Sequence, residues 1–64
     1  MCLSTAYYNN KDEANVAARY IAKVEVDGEQ VVLTDVMGFE TRIDGKVSFV
    51  DLTGGTVVIA TGAA

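Results

Sequence analysis

Residues 39–60 read Phe39-Glu40-Thr41-Arg42-Ile43-Asp44-Gly45-Lys46-Val47-Ser48-Phe49-Val50-Asp51-Leu52-Thr53-Gly54-Gly55-Thr56-Val57-Val58-Ile59-Ala60. In Phe39 to Ile43 the apolar ends and Thr41 fall on one face while Glu40 and Arg42 fall on the other, as a half-buried strand requires. Asp44-Gly45 and Gly54-Gly55 are dipeptides that favour tight hairpin turns, because their central positions accept positive φ. The stretch therefore predicts three strands, Phe39 to Ile43, Lys46 to Leu52 and Thr56 to Ala60, folded back on one another.

The same reading extends towards the N-terminus. Asp27-Gly28 marks another hairpin turn, and further β-rich runs cover Leu3 to Tyr8, Tyr20 to Val26 and Gln30 to Thr34. Val24 and Val26 alternate with Lys23 and Glu25. Val31-Val32-Leu33 and Val57-Val58-Ile59 are apolar on both faces, which predicts strands covered by the core on one side and by a second subunit on the other. No proline interrupts any of these runs. Lys11 to Arg19 differs: its helix formers and acidic start predict a loop or one short helix in 11–19, with Asn9 or Asn10 as N-cap. The expected fold is all-β, a small antiparallel barrel or curved meander of about six strands, in the SH3-like size class.

Sixty-four residues make one domain, 1–64, and a domain this small buries only roughly 60% of the surface its unfolded chain exposes. Small folds find support in disulfides, structural metals or self-association. One cysteine makes no internal disulfide, and a chain with no histidine lacks the common Cys/His zinc sites. Self-association remains, so a homodimer is expected; half of the residues are apolar, and a partner copy would hide the excess. Five basic against nine acidic residues leave a net charge of −4, which disfavours nucleic acid as a bulk partner while leaving a local patch open. With no apolar span of bilayer length, and no basic stretch followed by an apolar run near Met1, the expected location is the cytoplasm, away from membranes.

Several stretches together carry a family resemblance: Met1-Cys2-Leu3, the Val24-Glu25-Val26-Asp27-Gly28 turn, Val32 to Glu40, and Gly45-Lys46-Val47-Ser48-Phe49-Val50-Asp51-Leu52 before an apolar last strand. In order and spacing, over nearly the whole chain, they resemble the CooT family. The resemblance implies a small, dimeric, all-β protein beginning Met-Cys. It implies nickel binding through the second-position cysteine, in support of carbon monoxide dehydrogenase maturation, a metallochaperone-like role with a metalloenzyme as partner. Related sequences also carry the looser label of predicted RNA-binding protein. Asn10 to Arg19 looks longer than the family's usual first hairpin.

The chemistry of Cys2 also follows from the residue itself. Removal of Met1 would leave an α-amine and a thiol on one residue, and the two donors close a five-membered chelate ring. Both ordinarily keep their protons at neutral pH, so metal binding displaces protons and strengthens as pH rises. Thiolate and nitrogen donors in a planar set suit nickel(II) or copper(II), and a soft sulfur also suits copper(I). One cysteine gives too few ligands, but two chains about a two-fold axis could supply an N2S2 set for one metal per dimer. The competing reading of Cys2 is a small buried apolar side chain.

Other candidates are weaker. Asp35, Glu40, Asp44 and Asp51 could act as oxygen ligands or as an acid/base pair, but in so acidic a chain they read as turn-formers and solvated positions. Tyr7, Tyr8, Tyr20 and Phe49 beside Lys11, Arg19, Lys23, Arg42 and Lys46 could stack bases, which keeps a small-barrel binding module for RNA or a protein as the alternative function. Without histidine or a nucleophile and base pair the chain reads as a non-enzyme.

Overall fold

The Asp44-Gly45 dipeptide does not turn. In the computed structural model, which describes residues 3–61, Glu40–Asp51 is one continuous strand, so the expected six strands are five. In chain order they are β1 (Ser4–Tyr8), β2 (Val16–Asp27), β3 (Gln30–Asp35), β4 (Glu40–Asp51) and β5 (Thr56–Thr61). β4 pairs with β3 from Glu40 to Asp44 and with β5 from Gly45 to Asp51. At that changeover Gly45 N donates to Glu29 O at 3.1 Å, and a Cβ on Gly45 would lie 2.4 Å from Ala60 O. Gly45 is thus there so that the β5 backbone can approach, a role that dipeptide statistics cannot tell from a turn.

The other two dipeptides do lie at turns, but neither supplies both centres of a two-residue loop: Asp27 ends β2, and Gly54-Gly55 is half of a longer connection. Asp27 pairs with Gln30 across β2 and β3, leaving Gly28-Glu29 as a two-residue loop. Gly28 has φ 62 and Glu29 keeps a negative φ, the pattern of a type II′ turn with glycine first. Gly54-Gly55 closes a four-residue connection between Asp51 and Thr56, which pair across β4 and β5.

The short helix expected in 11–19 reduces to a single 3-10 turn, Glu13–Asn15. Its N-cap is Asp12, which accepts from Ala14 N, in place of Asn9 or Asn10. Val16 to Arg19 belong to β2 instead, where Val16 pairs with Tyr7 and Ala18 with Ala6. Ala17 and Ala18 pack against the core, and that packing outweighs the helix propensity of a segment too short to be helical alone. Asn9, at φ 65, serves the barrel closure instead. Its Nδ2 donates to Thr61 Oγ1 at 3.1 Å and its Oδ1 accepts from Thr61 N at 2.9 Å, clasping β1 to the end of β5.

The sheet is a closed barrel in the order β1-β2-β3-β4-β5. Successive strands are antiparallel, so the first and fifth run the same way, and the pairing that closes the barrel, Thr5 with Thr56 through Tyr8 with Ile59, is parallel. Inside stand Ala6, Ile21, Val31, Leu33, Ile43, Val57 and Ile59. Val32 and Val58 point the other way along their strands, yet are only 2% and 5% exposed in the single chain. Val32 lies between its register partners Glu25 and Arg42, whose long stems flank it. Val58 lies between Tyr7 and Phe49. The two-faced burial assigned from sequence to a second subunit is therefore supplied by this chain's own side chains.

Candidate functional site

Leu3 is the first described residue, and it enters β1 at a well-defined place. Thr5 N donates to Gly55 O at 2.8 Å, and Ser4 pairs with Ile21 on β2. Asp51 Oδ1 accepts from Gly54 N at 2.9 Å, which fixes the β4–β5 turn itself. Between β2 and that turn runs a groove of about 250 Å³, lined by Ser4, Ile21, Ala22, Lys23, Val24, Val50, Leu52 and Val57. Its lining is mainly apolar, and Leu52 at its lip is 82% exposed. Cys2, the residue singled out from sequence, immediately precedes Leu3 and lies outside the described residues.

The four acids weighed as ligands are not brought together. Asp35 Oδ1 accepts from Met37 N and Phe39 N, and Asp51 holds Gly54 N, so both are turn-formers as expected. Asp44, read as a turn residue, sits within β4 and accepts from Gln30 Nε2 at 2.8 Å. Glu40 is exposed at the start of β4. Among the described residues no group of three Cys, Asp or Glu side chains is placed to hold a metal. A larger, open hollow of about 540 Å³ lies at the far end of β5, between Glu29, Asp44, Lys46 and Thr61, away from Leu3.

The aromatic and basic residues do not form one surface either. Tyr7 is buried, whereas Tyr20 and Phe49 are exposed. Three of the five cations are engaged in ion pairs on the surface: Arg19 with Glu13 at 3.0 Å, Lys23 with Glu25 at 3.7 Å and Arg42 with Asp27 at 3.3 Å. These exposed pairs contribute little stability, but they neutralise the charge that a polyanion would seek.

Sequence reasoning weighed Tyr20 only as a base-stacking candidate and missed the cluster it joins on the other side of Ile21. Tyr20 has φ 60, at an irregularity in the β1–β2 register, and this left-handed backbone costs a residue with a side chain about 1–2 kcal/mol. Its carbonyl accepts from Val36 N at 2.9 Å. Val36, Met37 and Phe39 all stand exposed on the β3–β4 turn. The signal was present as Asp35-Val36-Met37-Gly38, aspartate first and glycine fourth as a type I turn prefers, and Gly38 N does donate to Asp35 O at 2.9 Å.

No curated protein sequence matches the chain. A crystallised candidate CooT from Carboxydothermus hydrogenoformans superposes with a TM-score of 0.81 at 18% identity, covering 97% of this chain and 100% of that one. At that identity the likeness is one of fold. The sequence profile of the CooT family, described as CO dehydrogenase accessory protein, matches residues 1–60. That span takes in Met1-Cys2, all four turns of the barrel and nearly all of β5, and on it the chain belongs to the CooT family.

Proposed function

We propose that this chain is a nickel-binding accessory protein for carbon monoxide dehydrogenase maturation, holding the metal between two copies through the Cys2 thiolates. The observation that carries the reading is the family match across residues 1–60, which includes the one cysteine in the sequence. The fold adds two supports. The acids that could have offered a rival oxygen site are dispersed, and Leu3 opens beside an apolar groove with an exposed leucine at its lip. A second copy packed on Val50 and Leu52 would bury this lip and draw two Leu3 ends toward a shared axis. Two thiolates with nitrogen donors beside them would then suit nickel, with copper as a chemical competitor.

Nickel titration of the untagged protein tests the reading, because a tag at Met1 would block the amine. The expected result is saturation at one nickel per two chains, with a thiolate charge-transfer band that strengthens as pH rises and vanishes in Cys2→Ser. Undiminished nickel binding by Cys2→Ser overturns it, as does one nickel per chain on a monomeric protein. Salt-sensitive RNA binding without nickel binding would instead favour the small-barrel binding module.

A further inference from the structure

Metal binding at Cys2 makes no use of the β3–β4 turn, yet that turn is stiff and presents large apolar side chains. Met37 is 77% exposed and Phe39 71%, while Asp35 holds the amides of Met37, Gly38 and Phe39 at 2.8 to 3.0 Å. Tyr20, hydrogen-bonded through its carbonyl to Val36, adds a fourth apolar side chain from the neighbouring strand. Tyrosine, methionine and phenylalanine are enriched in interface cores. A turn already held by its own hydrogen bonds loses little further freedom when a partner covers it.

Charge decides what that partner is. Asp35 and Glu40 bracket the turn in sequence, and Glu40 is in no ion pair among the described residues. The cation closest in register is Lys23, opposite Thr34, and it is engaged by Glu25. A second copy docked here face to face would set Asp35 and Glu40 against their own counterparts, like charge on like charge. A surface with an apolar pocket and a lysine or arginine rim meets both the side chains and the carboxylates.

We propose that Tyr20, Val36, Met37 and Phe39, with Glu40 at their edge, form the face that docks on the metalloenzyme served, and that the enzyme offers an apolar pocket with a basic rim. The inference rests on the accessory-protein reading above and adds the face that is used. Its occupant is a different protein, so the face stays open when two copies pair through the Leu52 groove.

The test measures binding of purified carbon monoxide dehydrogenase apoprotein to the full chain, at low and moderate salt, beside nickel titration of each variant. The double variant Met37→Ser/Phe39→Ser is expected to weaken docking at least tenfold, and Glu40→Lys severalfold with a shallower salt dependence. Val26→Ser, at an exposed apolar residue outside both faces, should dock as the wild type does. All three variants, each at exposed residues, should keep the wild-type circular dichroism. Undiminished docking by the double variant overturns the inference, and so does a nickel-binding wild type that does not dock. A double variant that falls to half the wild-type mass in sedimentation overturns it too, since the face would then join copies of this chain. Failure of the nickel reading is separate: it appears as absent nickel binding in the wild type while docking persists and still depends on Met37 and Phe39.

Discussion

Gly45→Ala places one methyl group where β4 leaves β3 for β5. The new Cβ would lie 2.4 Å from Ala60 O and 3.2 Å from both Ala60 C and Ile59 Cγ2. Close carbon–oxygen contacts between strands lie at about 3.3 Å or more, so the β5 backbone must retreat by about 0.9 Å. That backbone is held by the pairings of Gly45 with Thr61 and Lys46 with Ala60, and Ile59 is core. Overpacking costs about 1–3 kcal/mol, and one weakened ladder bond adds about 1 kcal/mol. A loss near 3 kcal/mol is large for a chain of this length, whose stability is about 3–10 kcal/mol, and lowers Tm by about 12–24 °C. Urea unfolding followed by circular dichroism measures it, at one fixed protein concentration because self-association would enter the equilibrium. Gly28→Ala is the reference: its Cβ meets nothing within 4 Å, so it incurs only the left-handed backbone strain, about 1–2 kcal/mol. Were Asp44-Gly45 a turn, the two variants would cost the same. Gly45→Ala no more destabilising than Gly28→Ala refutes the close-approach account.

Two further outcomes follow from the β3–β4 turn and its neighbour. Asp35→Ala removes the acceptor for two backbone amides and should cost about 1–2 kcal/mol, with faster hydrogen exchange at Met37 and Phe39 and partial recovery in Asp35→Asn; unchanged exchange would show that the carboxylate does not hold the turn. Tyr20→Asn should leave stability unchanged or raise it by about 0.5 kcal/mol, because asparagine tolerates the left-handed backbone, while truncating the buried Tyr7 to alanine should cost about 3 kcal/mol. A Tyr20→Asn variant destabilised as much as Tyr7→Ala would mean that the exposed ring packs in solution.

What could be read from the sequence was whatever local chemistry determines. Asp27-Gly28 turned because a two-residue hairpin demands positive φ at that glycine, whereas the alternation from Phe39 to Ile43 found the strand but not its burial, since only Ile43 of the expected inward face is buried and Phe39 and Thr41 stand exposed. Asp44-Gly45 misled because its glycine answers to Ala60 O, a neighbour across the barrel that no local pattern reveals. Val16 to Arg19 misled for a similar reason, since pairing with Tyr7 and Ala6 makes a strand of a segment whose composition favours helix. Val32 showed its burial in the sequence but not the source of its cover, which comes from Glu25 and Arg42 on two other strands. Of the candidate site, Cys2 stood out by position and the family resemblance carried over the rest. Val36 and Met37 did not stand out, Tyr20 was read as a base-stacking candidate and Phe39 as inward-facing, because exposure of an apolar side chain is a property of the folded surface.

The parallel seam between β1 and β5 has a consequence for synthesis. β1 leaves the ribosome well before the residues that hold it in place, Gly55 for Thr5 and Ile59 for Asn9. A nascent or prematurely terminated product that stops before β5 leaves two strands, β1 and β4, with open hydrogen-bonding edges. The barrel can therefore close only once β5 has been made, so the pairing of β1 with β5 is a late event in folding.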